Sequence, residues 1–292
     1  MADLSIKSDI WERRVTAVES LPPLREVIAA HELRAQKSLG QNFLLDMNIT
    51  DKIVREAMMR DGGSWANVHA FEVGPGPGGL TRALLKSDAQ KVTAIEFDSR
   101  AIAALGSLGD ASGGDLTLIE GDALKADISS LSAAPRVIVA NLPYNIATPL
   151  LIGWLKDIRK DAGAYNSMSL MFQREVAERI FAAPNTKHYG RLAVISQWLC
   201  RAERLYDLPP SAFTPPPKVN SSVVYFKPKL VAENAPAFQD VERVTAAAFN
   251  QRRKMIRSSM KAYMGAIEAL GIDPTKRAEN LSVEDFLAIA SF

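Results

Sequence analysis

Short, mostly apolar runs alternate along the first two thirds of the chain with segments in which apolar residues recur at helical spacing. Each run is typical of a strand that is buried on both faces, as in the middle of a parallel sheet. The predicted strands span residues 66–71, 91–98, 116–123, 136–140, 167–172 and 222–227. Helices are predicted before and between them, and this order predicts an α/β fold.

The two ends of the chain lack this pattern. The beginning has weak periodicity, so residues 1–23 are expected to form a frayed, loosely packed or disordered extension. After Pro228 the strand signal disappears, which places a domain boundary near Ala232 and makes residues 233–292 a small helical domain. Within it, residues 244–264 are predicted to form one amphipathic helix.

A chain of 292 residues with 47% apolar and 23% charged residues can bury one α/β core and a smaller second core. Its net charge of +2 creates no global attraction for a polyanion, so any nucleic-acid surface must be a local patch. The single cysteine and three scattered histidines provide no disulfide and suggest no metal site. No apolar run is long enough to span a membrane and no secretory signal is recognisable, so a cytoplasmic protein is expected.

A candidate for such a local patch lies between residues 244 and 264, where the chain has five cations and no acid. The cations are Arg252, Arg253, Lys254, Arg257 and Lys261. This cluster indicates a phosphate-binding surface, with a merely solvated basic helix as the alternative.

A glycine-rich turn joins the strand at 66–71 to the helix that follows it. Gly74, Gly76 and Gly79 let the backbone approach a ligand, to which the helix N-terminus offers unpaired N–H groups. With Glu96 about 20 residues further on, the spacing also satisfies the dinucleotide fingerprint, so a nicotinamide cofactor is one interpretation. Glu72, directly before the turn, would repel a pyrophosphate but favour the ammonium and sulfonium of S-adenosylmethionine, which is the preferred interpretation. The third interpretation is a turn that binds no ligand.

Acidic residues end the next two predicted strands. Glu96 can accept hydrogen bonds from both ribose hydroxyls of an adenosine. Asp122 can accept one from the adenine amino group, although a turn or helix-cap aspartate is an equal alternative. Residues 37–44 are neither alternating nor helical, and this loop is expected to fold over the cofactor rather than to be a plain loop.

The strand at 136–140 runs directly into Asn141-Leu142-Pro143-Tyr144. The amino nitrogen of a purine is a poor nucleophile because its lone pair is delocalised into the ring. The side-chain oxygen of Asn141 and the carbonyl of Leu142 could each accept one amino hydrogen and so free that lone pair, while Tyr144 could stack on the base. Phe213, in a rigid proline-rich loop, could complete a sandwich around a flipped base, or it could fill the core instead.

These segments appear in a characteristic order. They are Ser38-Leu39-Gly40-Gln41-Asn42-Phe43-Leu44, Glu72-Val73-Gly74-Pro75-Gly76, Glu96, Gly121-Asp122-Ala123, Asn141-Leu142-Pro143-Tyr144, Phe213-Thr214-Pro215-Pro216-Pro217-Lys218-Val219 and Phe249-Asn250-Gln251-Arg252-Arg253-Lys254. Together they resemble the bacterial small-subunit rRNA adenine N6,N6-dimethyltransferase family (KsgA/RsmA type), over about residues 24–286.

The resemblance implies a Rossmann-like class I methyltransferase sheet within residues 24–232 and an all-helical RNA-binding domain in residues 233–292. The expected cofactor is S-adenosylmethionine, held by Asn42, Leu44, Gly74, Gly76, Glu96, Asp122 and Asn141. The residues expected to contact RNA are Lys218, Arg252, Arg253, Lys254 and Arg257. The implied reaction adds two methyl groups to each of two adjacent adenines near the 3′ end of small-subunit rRNA. The implied partner is the immature small ribosomal subunit, and the protein is expected to be a monomer.

Two other functions are compatible with parts of the sequence. A large-subunit rRNA adenine methyltransferase of the macrolide-resistance type shares the core motifs, but the proline loop with Lys218 and the segment at 249–254 favour the small-subunit enzyme. A non-catalytic assembly or transcription factor could use the same fold, although the intact motif at 141–144 argues against it. A dehydrogenase is a remote third possibility.

Overall fold

In this computed structural model, residues 2–33, 35, 40–133 and 135–292 are described, with side chains from residue 9 onward. The predicted loop at 37–44 therefore lies partly outside the described residues. The helices are α1 (Ala2–Glu19), α2 (Leu24–Ala30), α3 (Met47–Arg60), α4 (Gly79–Lys86), α5 (Ser99–Ala104), α6 (Gly106–Ala111), α7 (Ala147–Lys160), α8 (Arg174–Phe181), α9 (Arg191–Leu199), α10 (Phe238–Asn250), α11 (Ile256–Ser259), α12 (Met264–Ala269) and α13 (Val283–Ser291).

Nine strands form two sheets in the described part of the chain. They are β1 (Phe43–Leu44), β2 (His69–Val73), β3 (Lys91–Glu96), β4 (Leu116–Glu120), β5 (Arg136–Ala140), β6 (Ser167–Gln173), β7 (Cys200–Leu208), β8 (Phe213–Thr214) and β9 (Ser221–Pro228). Seven of them form one sheet in the order β4-β3-β2-β5-β6-β9-β7. The pairs β2–β3, β3–β4, β2–β5 and β5–β6 are parallel, so their carboxyl ends share one edge.

This sheet matches the predicted α/β class. Its strands β2, β3, β5 and β6 are nearly continuous buried runs, whereas the edge strand β4 is half-buried or exposed. The strand order reverses beside β2, because β2 is flanked by β3 and β5. Such a switch point leaves a crevice at the carboxyl edge of a parallel sheet, where ligands bind. The fold thus brings the glycine turn, Glu96 and Asn141 to the same edge.

A second, two-stranded sheet joins distant parts of the chain. β1 pairs antiparallel with β8, with Leu44 opposite Phe213 and Phe43 opposite Thr214. The loop before β1 is thereby tied to the proline-rich loop that follows β8.

The chain divides into two compact units. Unit 1 comprises Met1–Gly153, Gly163–Arg174 and Arg204–Tyr225, and unit 2 comprises Trp154–Ala162, Glu175–Glu203 and Phe226–Phe292. Each unit is built from separate segments of the chain. The predicted boundary near Ala232 instead divides the chain into consecutive domains, and it stays a prediction. Among the described residues, no helix has the length and apolarity needed to cross a membrane.

The N-terminal segment is a helix, and the expectation of a frayed extension was wrong for its described side chains. Arg14 is 6% exposed, and its guanidinium lies 2.7 Å from the Asp115 carboxylate and 2.8 Å from the Ser87 carbonyl oxygen. Trp11 also donates to the Ser87 carbonyl, and Val18 is buried in the main hydrophobic cluster. Trp11, Arg14 and Val18 lie on one face of α1. An apolar face would have predicted that the helix packs against the domain, but Arg14 interrupts the apolar pattern of this face.

The single helix predicted for residues 244–264 was also wrong. α10 ends at Asn250, and helical structure resumes only with the short α11. Between them Met255 forms an antiparallel bridge with Arg277, and the Ile256 N–H donates to the Lys276 carbonyl at 2.8 Å. Backbone hydrogen bonds to residues about 20 positions away replace the local helical ones here. The periodicity of the local sequence cannot reveal such bonds.

Candidate active site

The glycine-rich turn between β2 and α4 has the conformation that its sequence predicts. Gly74, Gly76 and Gly78 have φ values of +70°, +53° and +90°, where other residues would be strained. A Cβ on Gly76 would lie 2.9 Å from the Phe43 ring, and one on Gly79 would lie 2.6 Å from the Leu44 carbonyl oxygen. The turn therefore lies directly against β1 with no space for side chains between them.

A cavity opens where this turn meets the ends of β3 and β5. Its walls include Gly40, Gln41, Asn42, Phe43, Gly74, Gly76, Glu96, Asn141, Leu142, Pro143 and Tyr144. The structure thus brings together seven of the predicted site residues, from loops that are far apart in sequence. Leu44, Asp122 and Phe213 are not part of these walls.

Glu96 is held by the backbone around it and is only 5% exposed. One carboxylate oxygen accepts hydrogen bonds from the N–H groups of Phe97 and Asp98, at 2.8 and 2.9 Å. The other accepts a longer one, 3.2 Å, from Gly76. Burial raises the pKa of Glu96, and these three bonds oppose the rise. A carboxylate has about four acceptor sites, and three are already occupied. If Glu96 accepts hydrogen bonds from both ribose hydroxyls, as predicted, the long hydrogen bond from Gly76 must therefore break.

Glu72 differs from its sequence-based interpretation as a charged carboxylate facing the ligand. It is 1% exposed and lies behind the turn, where it accepts a 2.6 Å hydrogen bond from the Thr81 hydroxyl. Burial raises the pKa of Glu72 to about 8, with the Thr81 bond opposing and the charge of Glu96 reinforcing the rise. Burial thus favours the neutral acid, and the side chain does not line the cavity as the interpretation of a ligand-facing charge requires.

The amide of Asn141 has a defined orientation. Its Nδ2 donates to the Asn42 carbonyl oxygen at 2.8 Å. Because a carbonyl oxygen only accepts, the amide nitrogen must face Asn42, and Oδ1 is left as an acceptor in the cavity wall. The loop is pressed against the same motif at Gly40, where a Cβ would lie 2.9 Å from Asn145 Oδ1.

Tyr144 forms the next part of the wall. Its hydroxyl shares a 2.6 Å hydrogen bond with the hydroxyl of Ser221, the first residue of β9. Burial raises the pKa of Tyr144, so the phenol stays neutral at ordinary pH. The hydrogen bond holds the far end of the ring, which gives Tyr144 a fixed orientation for stacking.

Phe213 does not have the exposed ring face that a base sandwich requires. Its side chain is 3% exposed, pairs across the small sheet with Leu44 and belongs to the main hydrophobic cluster. The expected sandwich with Tyr144 is therefore not what this structure contains, and the core-filling alternative is. Leu44 is buried in the same cluster, so its expected cofactor contact could come only from its main chain.

Asp122 adopts the turn conformation that was its alternative interpretation. Its Oδ1 accepts a hydrogen bond from the Leu124 N–H at 3.0 Å, and its other oxygen lies 3.9 Å from Lys125 Nζ. The turn is anchored to β3, because Gly121 N–H donates to the Glu96 carbonyl. The contact of Asp122 with adenine stays a prediction.

Phe97 does not line the cavity, but it is a candidate ligand contact that the sequence did not reveal. It follows Glu96 at the carboxyl end of β3 and is 68% exposed. In the sequence it resembled one more apolar strand residue. A large exposed ring beside a ribose-binding candidate offers a stacking surface for a purine.

The side chains that are predicted to contact RNA differ in exposure and in their partners. Lys218 is exposed on the proline loop of unit 1, after a cis peptide bond between Thr214 and Pro215. In unit 2, Arg253, Lys254 and Arg257 are exposed.

Arg252 is instead engaged within unit 2. It donates to the Glu279 carboxylate at 3.1 Å and to the Thr186 carbonyl at 3.3 Å. The side chain is still 41% exposed and has further N–H donors, so its predicted contact with RNA phosphate stays a prediction.

Comparison with known proteins identifies the family of this chain. The family model described as "Ribosomal RNA adenine dimethylase" matches residues 32–292. Proteins called "Ribosomal RNA small subunit methyltransferase A" are 52% identical in Rhodospirillum rubrum over 278 residues (94% of this chain, 93% of the relative) and 53% identical in Azorhizobium caulinodans over 283 residues (95% and 94%).

Solved structures show the same fold. A dimethyladenosine transferase from Plasmodium falciparum has 26% identity and a TM-score of 0.68, with coverage of 83% of this chain and 94% of that one. The 23S rRNA methyltransferase ErmE has 22% identity and a TM-score of 0.61, with coverage of 85% and 98%, which shows the fold alone. The family model spans the glycine turn, the oriented Asn141 and the basic segment of unit 2, and the chain therefore belongs to the ribosomal RNA adenine dimethylase family.

Proposed function

We propose that this chain transfers methyl groups from S-adenosylmethionine to the exocyclic amino groups of two adjacent adenines near the 3′ end of small-subunit rRNA. Its family and the names of its relatives support the chemistry and the small-subunit substrate. The orientation of the Asn141 amide is the observation that carries the proposal. It leaves Oδ1 of Asn141 as a hydrogen-bond acceptor in the cavity wall, where an adenine amino group would be bound.

The cavity walls fit an adenosyl cofactor. Gly74 and Gly76 leave the turn without side chains, Glu96 has an oxygen with accepting capacity, and Phe97 exposes a ring beside it. When bound, S-adenosylmethionine supplies an electrophilic methyl group. Asn42 would contribute to the covering loop, and the adenine contact of Asp122 remains part of the proposal.

The chain's own contribution to the reaction is positioning and polarisation. Asn141 Oδ1 and the Leu142 carbonyl oxygen would accept the two amino hydrogens and draw the nitrogen towards tetrahedral geometry, which makes its lone pair available. Tyr144, fixed by Ser221, would hold the base plane. Neutral Tyr144 and Asn141 are not strong bases, so the proton would leave to solvent after the methyl transfer.

Recognition of the RNA would be electrostatic and local. Lys218 on the proline loop, with Arg252, Arg253, Lys254 and Arg257 in unit 2, would contact phosphates. We also propose a monomeric, cytoplasmic enzyme that binds the immature small subunit during its assembly, with the helical segment after Ala232 as its RNA-binding domain.

Replacement of Asn141 tests the proposal. Asn141→Ala should reduce methyl transfer to unmethylated small subunits by at least about 100-fold, because an interaction made mainly in the transition state is lost. Asn67→Ala is a matched control, because Asn67 is exposed in the loop before β2, at the other end of that strand from the site. Circular dichroism would show that both variants are folded.

The products distinguish the alternatives. Radiolabelled methyl groups should map to two adjacent adenines of the small-subunit RNA, while purified large subunits should stay unlabelled. Labelled large-subunit RNA would favour the macrolide-resistance type. Wild-type rates in Asn141→Ala would refute the polarisation mechanism, and no transfer by the unaltered protein would indicate a non-catalytic assembly factor.

A further inference from the structure

Ser221 is a buried residue behind the cavity, and it is hydrogen-bonded to a residue of the cavity wall. Its side chain is 0% exposed, and its hydroxyl lies 2.6 Å from the hydroxyl of Tyr144. Tyr144 lines the cavity, whereas Ser221 does not. This hydrogen bond links the first residue of β9 to the segment that follows β5, 77 positions earlier in the chain. Ser221 can therefore act on a bound base only through the ring of Tyr144.

The start of β9 is held in place on both sides of Ser221. The carbonyl oxygen of Asn220 accepts a 2.9 Å hydrogen bond from the N–H of Arg174, the first residue of α8. The hydroxyl of Ser222 donates to the carboxylate of Asp207 on β7 at 2.6 Å. Because successive side chains of a strand point to opposite faces, these two serines serve different partners. A fixed strand therefore carries the hydroxyl that holds the tyrosine ring.

The two methyl transfers to one adenine differ in how the base can be held. Each transfer forms an N–C bond, breaks a sulfur–carbon bond of the methyl donor and releases one amino proton to solvent. Before the first transfer, the amino group has two hydrogens for the two proposed acceptors, Asn141 Oδ1 and the Leu142 carbonyl oxygen. Before the second transfer, a methyl group has replaced one hydrogen, so only one of these hydrogen bonds can form. The orientation of the monomethylated base then depends more on the ring that stacks on it.

We propose that Ser221 is a positioning residue for the second methyl transfer, and that it acts by holding the Tyr144 ring against the monomethylated base. This inference rests on the proposed function. Without the hydrogen bond the Tyr144 ring gains rotational freedom, and a base with one amino hydrogen loses its orientation first. A neutral hydrogen bond changes an equilibrium by about two- to tenfold. Ser221→Ala should therefore slow the second transfer about tenfold and the first less than about threefold, so that monomethylated adenine accumulates.

The chain offers a matched control on the same strand. Ser222 is also 0% exposed and its hydroxyl also donates a 2.6 Å hydrogen bond, but the acceptor is Asp207, which does not line the cavity. Ser222→Ala therefore removes an equivalent hydrogen bond and leaves the one to Tyr144 intact. Ser221→Thr is the conservative variant, because it keeps a hydroxyl. Tyr144→Phe removes the same hydrogen bond from its other end, while its ring remains for stacking.

Time courses with the full-length protein in excess over unmethylated small subunits would separate the two transfers. The RNA would be digested to nucleosides, and N6-methyladenosine and N6,N6-dimethyladenosine would be quantified by mass spectrometry at saturating S-adenosylmethionine. Each time course gives the ratio of the second transfer rate to the first. A purely structural role of Ser221 would lower both rates together and leave this ratio unchanged.

Ser221→Ala and Tyr144→Phe should each lower the ratio at least about threefold, and the double variant should lower it no further, since both changes remove one bond. Ser221→Thr should restore the ratio, and Ser222→Ala should keep that of the unaltered protein. An unchanged ratio in Tyr144→Phe, which leaves Ser221 in its strand, would overturn the inference, and so would an equal fall in Ser222→Ala. If the unaltered protein formed no dimethyladenosine, the proposed function itself would fail.

Discussion

Replacing Arg14 with alanine tests whether α1 is a docked part of unit 1. The guanidinium makes three hydrogen bonds, to the Asp115 carboxylate and to the carbonyl oxygens of Ser87 and Ala89, at 2.7, 2.8 and 3.2 Å. A hydrogen bond to a charged group contributes about 1.5–3 kcal/mol when it is buried. Asp115 is 22% exposed and keeps Lys91 at 3.5 Å, so water and that lysine recover part of the loss.

The expected net loss of unfolding free energy for Arg14→Ala is therefore about 2–4 kcal/mol. For a chain of this size that corresponds to a fall in Tm of roughly 3–7 °C. Urea and thermal unfolding followed by circular dichroism would measure both quantities.

Arg13→Ala is the matched control, because Arg13 precedes Arg14 on the same helix and is exposed. Both replacements change helix propensity and net charge equally, so the difference between them reports the docking contacts alone. If Arg14→Ala lay within about 0.5 kcal/mol of Arg13→Ala, the range for unremarkable surface changes, the reasoning that α1 stabilises unit 1 would be refuted.

Three further predictions concern the site and its support. Gly79→Ala should weaken S-adenosylmethionine binding, since its Cβ would collide with a backbone oxygen of β1, whereas Gly106→Ala in α6, where nothing lies within 4 Å, should bind normally; equal affinities would contradict this. Asp61→Ala should lower the unfolding free energy by about 3 kcal/mol in urea titrations, because Asp61 accepts three side-chain hydrogen bonds. Phe97→Ala should weaken adenosyl-ligand binding about tenfold through lost stacking, and Leu230→Ala, 95% exposed, should not.

The fold class could be predicted because each core strand is a local, nearly continuous apolar run. β7 was missed for the opposite reason. It lies at the edge of the sheet, and most of its residues between Cys200 and Leu208 are exposed or half-exposed, several of them charged. An edge strand of this kind is set by pairing with its neighbour, and its sequence resembles a solvated loop.

The site shows the same division between local and long-range information. Gly74, Gly76 and Glu96 were identifiable because turn chemistry and strand ends leave short-range signals, and the structure places all three in one cavity. Phe213 was ambiguous, because an aromatic residue in a proline loop can be exposed or buried with equal ease. Only its pairing with Leu44 shows that the ring faces the core.

The sequence by itself determined the alternation of strands and helices, the glycine turn and the ordered motifs of the rRNA adenine dimethylase family, because these depend on neighbours in the chain. The tertiary structure decided which groups face one another. It turned the Asn141 amide towards Asn42, raised the pKa of Glu72 by burying it, and paired Arg252 with Glu279. Charge state and hydrogen-bond direction depend on atoms brought together from distant parts of the chain, and so no local pattern could specify them.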